Sequence, residues 1–146
     1  MAAWWGSKGF AALLTLAGCV ALSGCGRGGP KFYPVTGKVL VDGHPAEHAL
    51  VVFHPVNAGP DALKPHAEVG PDGTFTLTTN TTGDGAPAGE YLVTVEWWLS
   101  GVKKVSDPDV PSKNHLPAKY AKPESSGLKA QVSEGPNELK PFELKK

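Results

Sequence analysis

The sequence predicts an all-β protein, an antiparallel β-sandwich of about seven strands that follows an N-terminal signal peptide. Short segments in which apolar and polar residues alternate with a period of two predict the strands. Turn signals separate these segments, and all 14 prolines lie after residue 29, which disfavours long helices. The chain of 146 residues is long enough for one domain.

Residues 1–24 have the composition of a removable signal peptide. Lys8 is the only charged side chain in this stretch, and an apolar run at residues 10–22 follows it. The run is shorter than the roughly 20 residues that a membrane-spanning helix needs, and it has the length of a signal-peptide core.

The apolar run ends in Leu22-Ser23-Gly24-Cys25, which resembles the lipobox of bacterial lipoproteins. The resemblance implies that the thiol of Cys25 is diacylated and that the chain is cut before it. Leu16-Ala17-Gly18-Cys19 fits the same pattern, and an ordinary secretory signal is a further alternative. We favour Cys25 because its apolar run is longer and a flexible Gly-rich tether follows it. The predicted organisation is a signal at residues 1–24, a tether at 25–32 and a domain at 33–146.

Parity along each alternating segment predicts which side chains face the core. The segments are residues 35–41 with Val35, Val39 and Val41 inward, 49–53 with Phe53 inward, 74–79 with Phe75 and Leu77 inward, 91–97 with Tyr91, Val93, Val95 and Trp97 inward, 128–132, and a last strand at Phe142 and Leu144. Loops are expected at residues 56–66 and from Trp98 to about residue 119. No segment predicts an amphipathic helix.

Three stretches together resemble the carboxypeptidase regulatory-like domain, a transthyretin-like (prealbumin-like) or Ig-like sandwich. They are Val35-Thr36-Gly37-Lys38-Val39 through Val51-Val52-Phe53-His54-Pro55, then Asp72-Gly73-Thr74-Phe75-Thr76-Leu77, and Pro87-Ala88-Gly89-Glu90-Tyr91-Leu92-Val93-Thr94-Val95. The resemblance implies an accessory or structural module without assigned activity, in a small envelope lipoprotein. Lys140 and Pro141 interrupt the last strand of the pattern, which predicts a short or edge strand there.

Charge and motif content argue against several classes of function. The chain has 14 basic and 14 acidic residues and no basic stripe, which excludes an electrostatic basis for nucleic-acid binding. The sequence contains no Gly-x-Ser-x-Gly elbow, no Tyr-Arg-Gly-Ser tail of a hydroxyisourate hydrolase and no His-x-His pair of an intradiol dioxygenase. We therefore predict no catalytic residue and no cofactor.

The histidines raise the question of a metal. His44, His48, His54 and His66 lie within 23 residues, but Pro45 and the predicted turn remove the helical meaning of the spacing between the first two. We predict surface histidines and no metal site. The Asp-Gly pairs at residues 42, 72 and 84 are interpreted as turns, since none has the carboxylate pattern of a calcium loop.

The predicted function is that of a membrane-anchored envelope lipoprotein with a non-catalytic structural or interaction domain. The alternative is a carbohydrate- or protein-binding module that uses Trp98 and the loop at residues 99–119. An envelope hydrolase or metalloenzyme is the third hypothesis. The expected partners are the membrane, through the N-terminal lipid, and an envelope protein or glycan. Gly26 and Arg27 lack the Asp that retains enteric lipoproteins at the inner membrane, which favours the outer membrane.

We expect mass spectrometry of the mature protein to find a new N-terminus at Cys25 that carries lipid. The lipobox-like residues and the tether behind them are the reason. Acylated Cys19, or a soluble protein with an unmodified N-terminus, would contradict the assignment.

Overall fold

The computed structural model describes residues 29–59, 61–98 and 113–146, and within them the predicted all-β sandwich is confirmed. The predicted signal peptide, Cys25 and residues 99–112 of the predicted loop lie outside the described residues. Strands hold 43% of the described residues and helices 8%, so helices do not shape the fold.

The described elements are β1 (Val35–Val41), β2 (His44–Pro45), β3 (Leu50–Pro55), β4 (His66–Glu68), β5 (Thr74–Thr76), β6 (Gly89–Glu96), a 3₁₀ helix (Ala118–Ala121), α1 (Pro123–Ser126), β7 (Leu128–Val132), β8 (Asn137–Glu138) and β9 (Phe142–Leu144).

Strand β1 is the centre of the first sheet, which has five strands. One edge of β1 pairs antiparallel with β5 and β2, and the main chain of Val39 bonds to Gly73 O and to Ala46 N on that edge. The other edge pairs with β8 and β9, and both run parallel to β1. The sandwich is therefore not wholly antiparallel, because the C-terminal strands return alongside β1 in its own direction.

The second sheet has the order β4-β3-β6-β7, with every pair antiparallel. Strands β3 and β6 pair along six consecutive positions, from Leu50 opposite Glu96 to Pro55 opposite Tyr91. Backbone bonds between His66 and Thr78 connect this sheet to the chain that leaves β5. The two sheets are thus joined along one side of the sandwich.

The core lies between the sheets, and the predicted inward faces are confirmed for β1, β3, β5 and β6. Phe53 is fully buried and its ring is near three other aromatic rings, at centroid distances of 6.3 Å to Phe75, 5.6 Å to Tyr91 and 6.4 Å to Phe142. The hydroxyl of Tyr91 donates to Pro87 O at 2.8 Å, the bond of the tyrosine corner found in sandwich folds. This bond satisfies the one polar atom of the Tyr91 side chain.

Three local predictions need correction. Strand β4 was not predicted, and its first residue, His66, lies in the predicted loop. Pairing with β3 supplies the hydrogen bonds that three residues with little apolar character cannot organise alone. The two helical turns at residues 118–126 were not predicted; they pack against β6, and each is too short to show a helical period. Trp97 is half-buried rather than a core residue, since β6 ends at Glu96.

The substitution Phe53→Ala should lower the free energy of unfolding by about 3–5 kcal/mol, because it removes the ring that three other aromatic side chains contact. Thermal or urea denaturation measures the change. Leu50→Ala is the matched control: it lies on the same strand but is 37% exposed, and we expect a much smaller loss. Equal losses for the two variants would contradict the assigned faces of β3.

Candidate functional site

One cleft of the described domain combines half-buried aromatic rings with titratable groups. It has a volume of about 400 Å³ and lies where β6 ends, beside the turn that precedes β3. We call it the tryptophan cleft. Its lining includes Glu47, His48, Trp97, Trp98, His115 and Lys146.

Trp97 is held in the tryptophan cleft through both its side chain and its backbone. Its Nε1 donates to Glu47 O at 2.8 Å, and its backbone N donates to the side-chain oxygen of Asn114 at 3.0 Å. The Nζ of Lys146 lies 5.1 Å from the centroid of the Trp97 ring, within the range of a cation–π contact. The indole therefore has a fixed orientation before any ligand arrives.

Trp98 and His115 complete the aromatic wall. Trp98 forms an isolated antiparallel bridge with Asn114, and both tryptophans are half-buried. His115 lies 5.8 Å from Trp97 between ring centroids, and its Nε2 is a buried atom without a hydrogen-bond partner in the described part of the chain. Trp98 thus lies beside Trp97 at the end of β6, and its predicted binding role stays a prediction.

The acidic side of the tryptophan cleft is organised around His48, which has a positive φ of 64° in the turn before β3. Its Nδ1 donates to Glu68 Oε1 at 2.6 Å, and its Nε2 lies 3.5 Å from a carboxylate oxygen of Glu47. The bond to Glu68 is the main cause of a raised pKa of His48, and the nearby charge of Glu47 adds to it. A positive charge on this ring is thus matched by carboxylates on both sides.

Two other depressions lack this combination. A groove of about 540 Å³ lies between β7 and β9, and its one aromatic side chain, Phe142, is 8% exposed. A second depression of about 450 Å³ lies beside Val56, Tyr91 and Lys129. Its tyrosine is 3% exposed and faces the core. Volume alone therefore does not identify a site here, whereas accessible aromatic surface does.

A hydroxyl and an imidazole meet on the outer face of the second sheet. Nε2 of His54 lies 2.9 Å from Thr94 Oγ1, a distance at which a base could activate a nucleophile. Thr94 is only 5% exposed, so a substrate cannot reach it. Burial lowers the pKa of His54, and the charge of Lys64 adds to the effect. The pair is best explained as a satisfied polar contact on that face.

The sequence predicts that His44, His48, His54 and His66 are surface residues that hold no metal. His44, His48 and His66 are exposed and His54 is half-buried, each with different neighbours. In the ranges that the structure describes, no group of three His, Cys, Asp or Glu residues is placed to hold a metal ion.

The Asp-Gly pairs serve the backbone, as predicted. Asp42 and Gly43 both have positive φ, at 50° and 82°, in the turn between β1 and β2. The carboxylate of Asp84 accepts N–H bonds from Thr79, Asn80 and Thr81. Partial burial opposes ionisation of Asp84, but these bonds outweigh it, so the pKa of this carboxyl lies below its usual value. Both oxygens of Asp84 therefore serve the backbone of this loop.

Sequence reasoning identified Trp98 but missed Glu47, His115 and Lys146, three residues far apart in sequence. No local pattern marks them, because they meet only when the ends of β2, β6 and β9 come together.

A comparison with known proteins finds no matching family model, no matching curated protein and no matching solved structure. No helix within the described ranges is long and apolar enough to cross a membrane.

The pKa values of His48 and His54 should lie on opposite sides of the pKa of free histidine. By NMR we expect His48 to titrate above its unperturbed pKa of 6.5 and His54 below it. Glu68→Gln should lower the pKa of His48 and leave that of His54 unchanged. Because the pKa of His48 is raised in the folded state, its stabilising effect is complete below the unfolded pKa and is lost as the pH rises through the folded pKa. If His48 has the same pKa in the parent protein and in Glu68→Gln, the contact with Glu68 is contradicted.

Proposed function

We propose that this protein is a lipid-anchored component of a bacterial cell envelope whose β-sandwich is a structural or interaction domain and not an enzyme. The observation that carries the proposal is the lipobox-like Leu22-Ser23-Gly24-Cys25, followed by a Gly-rich tether and a domain without cysteine. A domain of the carboxypeptidase regulatory-like type, as the resemblance implies, would suit this role. The outer membrane is the proposed location.

The arrangement of the described domain supports an interaction role. Tyr33 pairs with Ala86 at the end of the sandwich where β1 begins, so a tether from Cys25 would enter there. Strand β1 then runs seven residues, and Lys146 follows β9 next to the far end of β1. At about 3.3 Å per residue, β1 alone spans roughly 20 Å. With the chain anchored at Cys25, the tryptophan cleft would lie at the membrane-distal end of the domain.

A binding module for an envelope protein or a glycan is the specific form of this proposal that the cleft favours. Half-buried tryptophans in a concave site are typical of binding surfaces, because they offer large contact area at a small cost in conformational entropy. The described residues that line this cleft include no Ser, Thr or Cys that could act as a nucleophile beside His48 or His115.

Photo-cross-linking in cells that express the full chain tests the proposal. A photoreactive residue at position 47, on the rim of the tryptophan cleft, should give discrete adducts with an envelope component. The matched control is position 63, where Leu63 is 42% exposed in the loop between β3 and β4. The adducts should be lost in Cys25→Ser and kept in Cys19→Ser, because only the first removes the proposed anchor.

Two results would contradict the proposal. Adducts of equal yield from positions 47 and 63 would show that the cleft has no particular partner. Adducts that persist in Cys25→Ser, in a chain that carries no lipid, would show that membrane attachment is not needed to meet the partner.

A further inference from the structure

We infer that the tryptophan cleft binds a neutral oligosaccharide, an inference that rests on the proposed function and names the class of ligand for its cleft. The ligand class follows from the aromatic wall, the charge balance and the position of the cleft.

The aromatic wall suits a pyranose ring. The rings of Trp97 and His115 are tilted by 56°, so that with Trp98 they form a concave and not a flat surface. A sugar ring presents a face of C–H groups that packs against the electron-rich face of an indole. Because Trp97 is held through its Nε1 and its backbone N, little conformational entropy is lost when a ligand packs beside it.

The charges of the cleft suit a ligand without net charge. Glu47 supplies one carboxylate and Lys146 one ammonium group, and a charged His48 is matched by Glu68 at 2.6 Å. A charged ligand of either sign would therefore meet one group of its own charge, which repels it, for each group of opposite charge that attracts it. Sugar hydroxyls both donate and accept hydrogen bonds, so they can use the carboxylate and the ammonium group together.

Size and position are also suitable. A volume of about 400 Å³ lies within the range of roughly 300–1,000 Å³ that is typical of small-molecule sites. The cleft lies at one end of the sandwich, where β6 ends. Its volume exceeds that of one pyranose ring, so an oligosaccharide that places more than one ring there is a better fit than a single sugar.

A cationic peptide is the competing ligand. The ammonium group of Lys146 lies over the ring of Trp97, which shows that this surface accepts a positive charge. Lys146 already occupies that position from within the chain, so a second cation would have to displace it. A sugar that packs beside Lys146 accepts a hydrogen bond from its ammonium group and leaves that side chain in place.

Intrinsic fluorescence of the full chain can report on the cleft alone. The protein has four tryptophans, of which Trp4 and Trp5 lie in the signal peptide that the proposed cleavage removes. The double variant Trp4→Phe/Trp5→Phe makes Trp97 and Trp98 the only emitters in any chain that retains the signal as well. Titration of this detergent-solubilised variant with cellohexaose and with chitohexaose should give a saturable change in emission for at least one of them. Binding should persist at about 1 M salt, where the Debye length is about 3 Å and ionic attraction is screened.

Substitutions of Trp98 in the same background separate aromatic packing from bulk. Trp98→Leu should weaken binding about tenfold, and Trp98→Phe should retain it to within about threefold, because only the first removes the aromatic face. Leu63→Ala, far from the cleft, should bind like the parent. Circular dichroism and the melting temperature confirm that each variant is folded.

Three outcomes would overturn the inference: no saturable change with either oligosaccharide, equal affinity in Trp98→Leu, or binding of oligolysine in place of the sugars that is lost in salt. None of them affects the proposed function. That proposal fails only if the cross-linking experiment finds no cleft-specific partner or no need for the anchor, so the two failures are distinguishable.

Discussion

Hydrogen bonding along both edges of β1 is the constraint on which the rest of the first sheet depends. Four strands of only two or three residues, β2, β5, β8 and β9, pair with it. Strands of this length have no independent stability in water. Gly37 makes the pairing with β5 possible, because a Cβ atom there would lie 2.5 Å from the ring of Phe75. The position of the chain's last residues, and with them Lys146, therefore follows from β1.

The aromatic core connects the first sheet to the second and fixes where the second sheet packs. Phe75 and Phe142, from strands on opposite edges of β1, stack with an interplanar angle of 6°, and Phe53 of the other sheet packs against both. Tyr91 joins the cluster from β6 and is tied at its hydroxyl to Pro87. With its start held by this corner and its length by β3, β6 ends at a defined place, and the two tryptophans emerge there.

Most polar side chains that resemble functional groups in the sequence serve turns in the structure. Asp72 accepts bonds from the backbone and the hydroxyl of Thr74, which lower its pKa. Asn137 bridges Ser133 and Gly135 through its amide group. Such contacts satisfy backbone groups that short strands leave unpaired. Those turns therefore offer little free chemistry, which contrasts with the mixture of rings and charges in the tryptophan cleft.

The sequence by itself determined the all-β class, the inward faces of the main strands and the Asp-Gly turns, because alternation and turn chemistry act between neighbours in the chain. It also singled out Trp98 as a candidate binding residue. Only the tertiary structure decided that β8 and β9 run parallel to β1, that β4 is a strand, and that Trp97 is half-buried. It alone brought Glu47, His115 and Lys146 to the tryptophans. Each of these depends on contacts between residues distant in sequence, and no local period encodes such contacts.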